Sequence, residues 1–222
     1  MLLIVCSVAS LLSVAPLGDM LESPVDLARL AAHDNAVVLA SLIAFVEAAT
    51  GAGIAIALYP VLRPYGPAMA WGAAAARTVA AALVLVSTLS GLVLLTLAQE
   101  SVAAGSGESA STEASVQMLL AVREWIHNFM ILAPFLLGAG LYYYLMYRSN
   151  IIPRWLSGWG LLAVALSSVA ILYTGFTQDF GLATFSTALN VPIGLQEMVL
   201  AVWLIAKGFN PAPQPPPAQN RT

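Results

Sequence analysis

Charge is what this sequence lacks most. Asp, Glu, Lys and Arg make up 9% of its 222 residues, against about 25% in a soluble domain, whose surface has to face water. Hydrophobic residues make up 60% and mean hydropathy is +0.87. Such a chain cannot cover itself with polar groups and should dissolve in a bilayer. The net charge of −3 argues against a nucleic-acid partner, because phosphate binding needs a clustered cationic surface. The single cysteine, Cys6, excludes an intramolecular disulfide and a cysteine-based metal framework. It reads best as a small apolar residue in a membrane helix. Also missing are the phosphate-cradling G-x-x-x-x-G-K, the zinc motif H-E-x-x-H and the nucleophile elbow G-x-S-x-G. No cofactor or metal is expected.

What is present is a series of apolar runs. A spanning helix needs roughly 20 apolar residues to cross about 30 Å of hydrocarbon. Six segments, residues 2–17, 35–59, 68–98, 118–147, 155–177 and 191–207, reach or approach this length. The first has no basic residue before it and no convincing small-x-small cleavage site. It reads as a membrane helix and not as a signal peptide. With the N-terminus in the cytoplasm, every Lys and Arg except Arg29 and Arg123 lies in or beside an inner loop, counting Arg77 on the inner half of its helix. Most acidic residues, among them Asp19, Glu22, Asp34, Glu108 and Asp179, fall on the outer side. This positive-inside pattern predicts an all-α, polytopic bundle of six transmembrane helices with both termini cytoplasmic.

Short connections predict two antiparallel hairpins, one across the RPYGP turn at Arg63 and one across RSNIIPR, residues 148–154. The Ser-, Gly- and Glu-rich segment 99–117 reads as a mobile outer loop. Residues 1–208 form the membrane domain, and the proline-rich residues 209–222 form a disordered cytoplasmic tail. Tyr59, Tyr65, Tyr142, Tyr143, Tyr144, Tyr147, Trp155 and Trp159 flank the two inner turns, as interfacial anchors would.

Three charges fall inside the apolar runs. Counted from the inner ends, Arg77 lies roughly 14 Å deep, Glu47 about 18 Å and Glu197 about 15 Å. An unpaired charge at such depth costs at least about 2.5 to 3.5 kcal/mol. We therefore expect Arg77 to pair with Glu47 on the adjacent hairpin helix, with Glu197 joining the network or staying protonated. Small residues one turn away, Ala44 and Gly51 near Glu47, Ala73 and Ala81 near Arg77, and Gly194 and Ala201 near Glu197, would let helices close around the cluster. The three residues are candidates for binding substrate or protons. A static lock between helices two and three accounts for them equally well. At the outer end His33 and Asp34 open helix two, and Glu124 and His127 lie in REWIHN, residues 123–128. These form a secondary polar group, which solvated interfacial residues explain better than a metal site.

The runs ALYPVLRPYGPAMAWGAAAARTVAAAL, LYYYLMYRSNIIPRWLSGWGLLAVAL and NVPIGLQEMVLAVWLIAKGFN resemble a bacterial integral membrane family catalogued as domain of unknown function 4386. The likeness extends from about helix two to Phe209. It implies that Glu47, Arg77 and Glu197 belong to the family pattern, and that the protein resides in the bacterial inner (cytoplasmic) membrane. Members often carry R-x-x-E on helix three, whereas here Ala80 stands three residues after Arg77. That loss makes Arg77 more dependent on Glu47 or Glu197. The resemblance supplies no reaction. A small transporter or amphiphile-binding protein, with the lipid bilayer and a small ion or amphiphile as partners, needs no catalytic motif and is preferred. A structural or accessory subunit is the alternative, as is an intramembrane enzyme acting on a lipid or isoprenoid with Glu47 or Glu197 as acid or base. Nothing in the sequence indicates a homo-oligomer.

Overall fold

The computed structural model describes residues 1–18, 20–21, 25–104, 110–177 and 184–210, and among these there are helices and no strands. Asp19, Glu22, Glu108, Asp179 and the proline-rich residues 211–222 lie outside the described residues. The helices are α1 (Leu2–Val14), α2 (Leu27–Ala32), α3 (Asp34–Leu62), α4 (Pro67–Ala103), α5 (Ala110–Trp125), α6 (Leu132–Ser149), α7 (Arg154–Thr177) and α8 (Thr184–Ala206). A 3-10 turn, Arg63–Tyr65, joins α3 to α4, and a π turn, Ile126–Met130, makes α5 and α6 continuous. Five segments, Asp34–Tyr65, Pro67–Ala103, Ser111–Ser149, Arg154–Thr177 and Ala188–Ala206, are long and apolar enough to cross a bilayer. The chain is a helical membrane protein. The short apolar helix α1 packs along α3 and touches α8.

Local chemistry explains the boundaries. The Asp26 carboxylate caps α2 by accepting from Arg29 N–H at 2.9 Å. Pro67 opens α4, where its missing N–H is not needed. Asn150 ends α6 with φ of 57°, a left-handed conformation that Asn tolerates better than most residues. The π turn has a visible cause in Pro134, whose ring would clash with the carbonyl four residues back, at Met130. The chain answers with a wider turn there, in which Ile131 N–H donates to Ile126 O at 2.9 Å.

Helix α4 is the central post. It packs against α3, α6, α2 and α5, while α7 lies between α6 and α8. One core, at the end of the bundle that carries the α3–α4 and α6–α7 turns and named inner after the expected orientation, joins Leu62, Tyr143, Met146, Ile152, Leu156 and Leu200. An outer core gathers Leu27 and Leu30 of α2 with Leu94 and Ala98 of α4 and Val116 and Leu120 of α5. This outer core explains why the expected loop at 99–117 is mostly helical: α4 runs on to Ala103 and α5 starts at Ala110, so that Ala98, Val116 and Leu120 are buried. Past α8, Asn210 is fixed to the α6–α7 turn, its N–H donating to Ile151 O at 2.7 Å and its side chain to Asn150 O at 2.9 Å.

The tyrosine run divides. Tyr144, Tyr147 and Trp155 are exposed, as anchors should be. Tyr142 and Tyr143 are both buried, facing Glu197 and Gln196 of α8, while Tyr144, a further step of about 100° around the helix, turns outward.

Candidate functional site

Arg77 leaves α4 toward α6 and lies against Gly138. A Cβ at that glycine would stand 2.7 Å from Arg77 Cγ and 3.1 Å from the Ala73 carbonyl oxygen, so the approach depends on the missing side chain. The guanidinium carbon then sits 4.1 Å over the Phe135 ring, and Nη1 is 3.7 Å from Glu197 Oε1. Tyr142 donates its hydroxyl to the same carboxylate oxygen at 3.3 Å. Arg77 is 4% exposed and Glu197 12%. Nη1 has no hydrogen-bond partner, so the pair is held by charge and by the aromatic face. One residue along, Tyr143 donates to Gln196 Oε1, and Gln196 Nε2 donates to Leu156 O at 3.2 Å.

The partner of Arg77 is therefore Glu197, and no Arg77–Glu47 ion pair forms among the described residues. Depth gives the reason. Helix α3 does not stop at Tyr59 but continues through Pro60 to Leu62, which puts Glu47 about 22 Å above the end of its helix. Arg77 stands about 15 Å above the start of α4, and Glu197 about 14 Å above the end of α8. Glu197 matches Arg77, whereas Glu47 is more than one helical turn too high.

Glu47 instead faces the hydroxyls of Ser10 and Ser13 on α1 and lines a half-open cleft of about 80 Å³. Polar lining comes from Ser13, Ser41, Ser87 and Thr88, and from Arg123 and His127 beside the π turn. The remaining wall is apolar and includes Leu17, Leu21, Val37 and Ile131. Leu17, Leu21 and Val37 also belong to the outer core, so the cleft lies directly beneath it. Neither Glu47 nor Arg123 is in an ion pair among the described residues. Ser87 is 7% exposed, and its hydroxyl has no hydrogen-bond partner among the described residues.

The outer polar group separates. His127 joins the cleft, while His33 bonds back to Arg29 O at 2.8 Å and the Asp34 carboxylate accepts from Asn35 N–H at 2.7 Å. Glu124 does not line the cleft; its carbonyl accepts from Asn128 Nδ2 at 3.1 Å. Among the described residues no His, Cys, Asp and Glu side chains cluster as metal ligands would. Sequence reasoning missed Phe135, Gly138, Tyr142 and Gln196 around Arg77, and Arg123 and Ser87 in the cleft. For Arg123 and His127 a signal existed in Pro134, since a proline inside a long apolar run marks a local change of helical register.

Comparisons with curated proteins and with solved structures give no significant match. The family model described as a domain of unknown function (DUF4386) matches residues 1–208, and the chain belongs to that family.

Proposed function

We propose that this protein binds a small ion or the polar end of an amphiphile in the Glu47 cleft, as a transporter or carrier of that cargo. In this reading it is a bacterial cytoplasmic-membrane protein in which α1 makes a sixth crossing and both termini are inside. The Arg77–Glu197 pair is the lock of the bundle. One observation carries the proposal: a carboxylate and a guanidinium line one cleft without pairing. Ionisable groups in membrane segments are costly and persist where they face a partner or a path. Arg77 and Glu197 already satisfy each other against Phe135 and Tyr142, an arrangement that can fix register without further chemistry. A volume of about 80 Å³ has room for several waters, one needing about 10–15 Å³ of such space. It suits a headgroup or ion whose apolar remainder extends through the open side.

The test is reconstitution in liposomes with a pH-gradient readout, together with thermal shift against short-chain amphiphiles. Glu47→Gln should abolish the flux or the shift at nearly unchanged stability. Glu197→Gln should lower stability first. Unaltered flux and binding in Glu47→Gln would remove the cleft from consideration.

A further inference from the structure

We infer that the cleft recognises a zwitterionic group, an ammonium joined to a phosphate or carboxylate, on the reading that the Glu47 cleft is a binding site. The argument starts from which helices touch. Helix α4 packs against α3 on one side and against α5 and the π turn on the other, while α3 and α5 share almost no contact. Residues of α3 and α5 that line the same cleft therefore stand on opposite walls, with α4 as the floor.

The two walls differ in chemistry. On the α1–α3 wall lie Glu47, Ser13 and Ser41. The Ser41 hydroxyl donates to Val37 O at 2.8 Å, so its oxygen offers only lone pairs to the cleft, while the Ser13 hydroxyl lies between Ser10 O, at 2.8 Å, and the Glu47 carboxylate. That wall accepts hydrogen bonds and is negative. On the opposite wall Arg123 carries a guanidinium, which can only donate. Between them, Thr88 and Ser90 bond back to the carbonyls four residues earlier, at 2.8 and 3.2 Å, but Ser87 does not. Its hydroxyl makes no such bond and lines the cleft, able to donate or accept.

A simple cation would answer Glu47 and add nothing for Arg123, whose neighbour Glu124 acts on it without an ion pair and lies outside the cleft lining, and a simple anion would do the reverse. Only a group with both charges meets both walls, and an unmet charge out of water is the costly outcome. Such a group occurs as the headgroup of an aminophospholipid and as a free amino phosphate.

The experiment uses the full chain in nanodiscs of phosphatidylglycerol, with four probes: dihexanoyl phosphatidylethanolamine, dihexanoyl phosphatidylglycerol, hexylamine and phosphoethanolamine. The zwitterionic lipid should bind about tenfold or more tighter than phosphatidylglycerol or hexylamine, as one charged hydrogen bond implies. Glu47→Gln should erase its advantage over phosphatidylglycerol, and Arg123→Gln its advantage over hexylamine. Phosphoethanolamine binding as tightly as the lipid supports the proposal with a free solute as ligand; weaker binding supports it with a lipid headgroup. Equal affinity of the unaltered protein for the zwitterionic and singly charged lipids overturns it, whatever the variants do. If a proton flux that depends on Glu47 accompanies that result, the cleft remains a site and only the ligand class is wrong. If neither variant changes any binding or flux, the site reading itself falls. Ser87→Val, which narrows the floor without altering charge, should weaken every probe alike; a selective effect there counts against the two-wall geometry.

Discussion

Replacing Glu197 by Gln leaves the Arg77 guanidinium in place, 4% exposed, without the carboxylate it pairs with. Removing one partner of a buried pair costs about 3 to 5 kcal/mol. This pair is 3.7 Å long and lacks a hydrogen bond at Nη1, and the Phe135 ring at 4.1 Å stays behind to hold the cation. The cost should therefore fall at the low end, about 3 kcal/mol. Arg77→Met strands Glu197 instead, but Tyr142 still donates to it at 3.3 Å, so the loss should be about 2 kcal/mol. The double variant removes both charges and should lose less than the sum, giving a coupling energy of about 2 kcal/mol. The same cycle with Glu47→Gln and Arg77→Met should couple by less than about 0.5 kcal/mol, the level of independent sites. Reversible unfolding in bicelles measures the three single and two double variants against the unaltered protein. A Glu47–Arg77 coupling equal to or larger than the Glu197–Arg77 coupling would refute both the lock and the depth argument behind it.

Gly138→Ala places a methyl 3.1 Å from the Ala73 carbonyl, which cannot swing aside, and should cost about 1 to 3 kcal/mol in unfolding. Gly194→Ala, where a Cβ meets nothing within 4 Å, should be neutral or stabilise by up to about 1 kcal/mol in the same assay. Tyr143→Phe leaves Gln196 Oε1 without its donor at a fully buried position, and should cost about 1 to 3 kcal/mol without affecting probe binding in the cleft. Asn150→Ala must hold φ at 57° with a Cβ and no compensating side chain. It should lower stability by about 1 kcal/mol while Asn150→Gly does not, as thermal unfolding would show.

The fold was largely legible because membrane helices announce themselves by length. The segments expected at 35–59, 68–98 and 155–177 match α3, α4 and α7 within a few residues, apart from the outward extension of α4. Burial of Arg77 was legible for the same reason, since a lone cation on an apolar membrane helix is too costly to face lipid. Its partner was not, because the choice between Glu47 and Glu197 turns on three residues at the end of α3. Ending the segment at Tyr59 shortened the count by three residues, whereas the proline that follows, near a C-terminal end, only removes one bond. Nor could composition reveal Gly138 as the platform for Arg77, since a glycine that admits a neighbour and one that faces open space look alike until helices are docked. Gly194 is the opposite case, a small residue beside Glu197 with nothing packed against it.

Separating the charges into two sites changes what each carboxylate implies. Arg77 and Ser87 lie ten residues apart on α4, about 15 Å along the axis. At the lower level α4 is tied to α6 and α8 by Gly138, Phe135 and Glu197, and Tyr143 with Gln196 ties α6 to α8 beside it. At the upper level α4 faces α3 and the π turn across a cleft where Glu47 and Arg123 form no ion pair among the described residues. A lock at the lower level fixes the floor against which the two charged walls are set. The π turn has a direct bearing on the second wall: an added residue per turn rotates everything before it by about 100° relative to α6. Without it, the register that packs Phe135, Gly138 and Tyr142 around Arg77 would carry Arg123 and His127 away from Glu47. Pro134 thus links the two sites, since one distortion of one helix lets the same chain face inward at both levels.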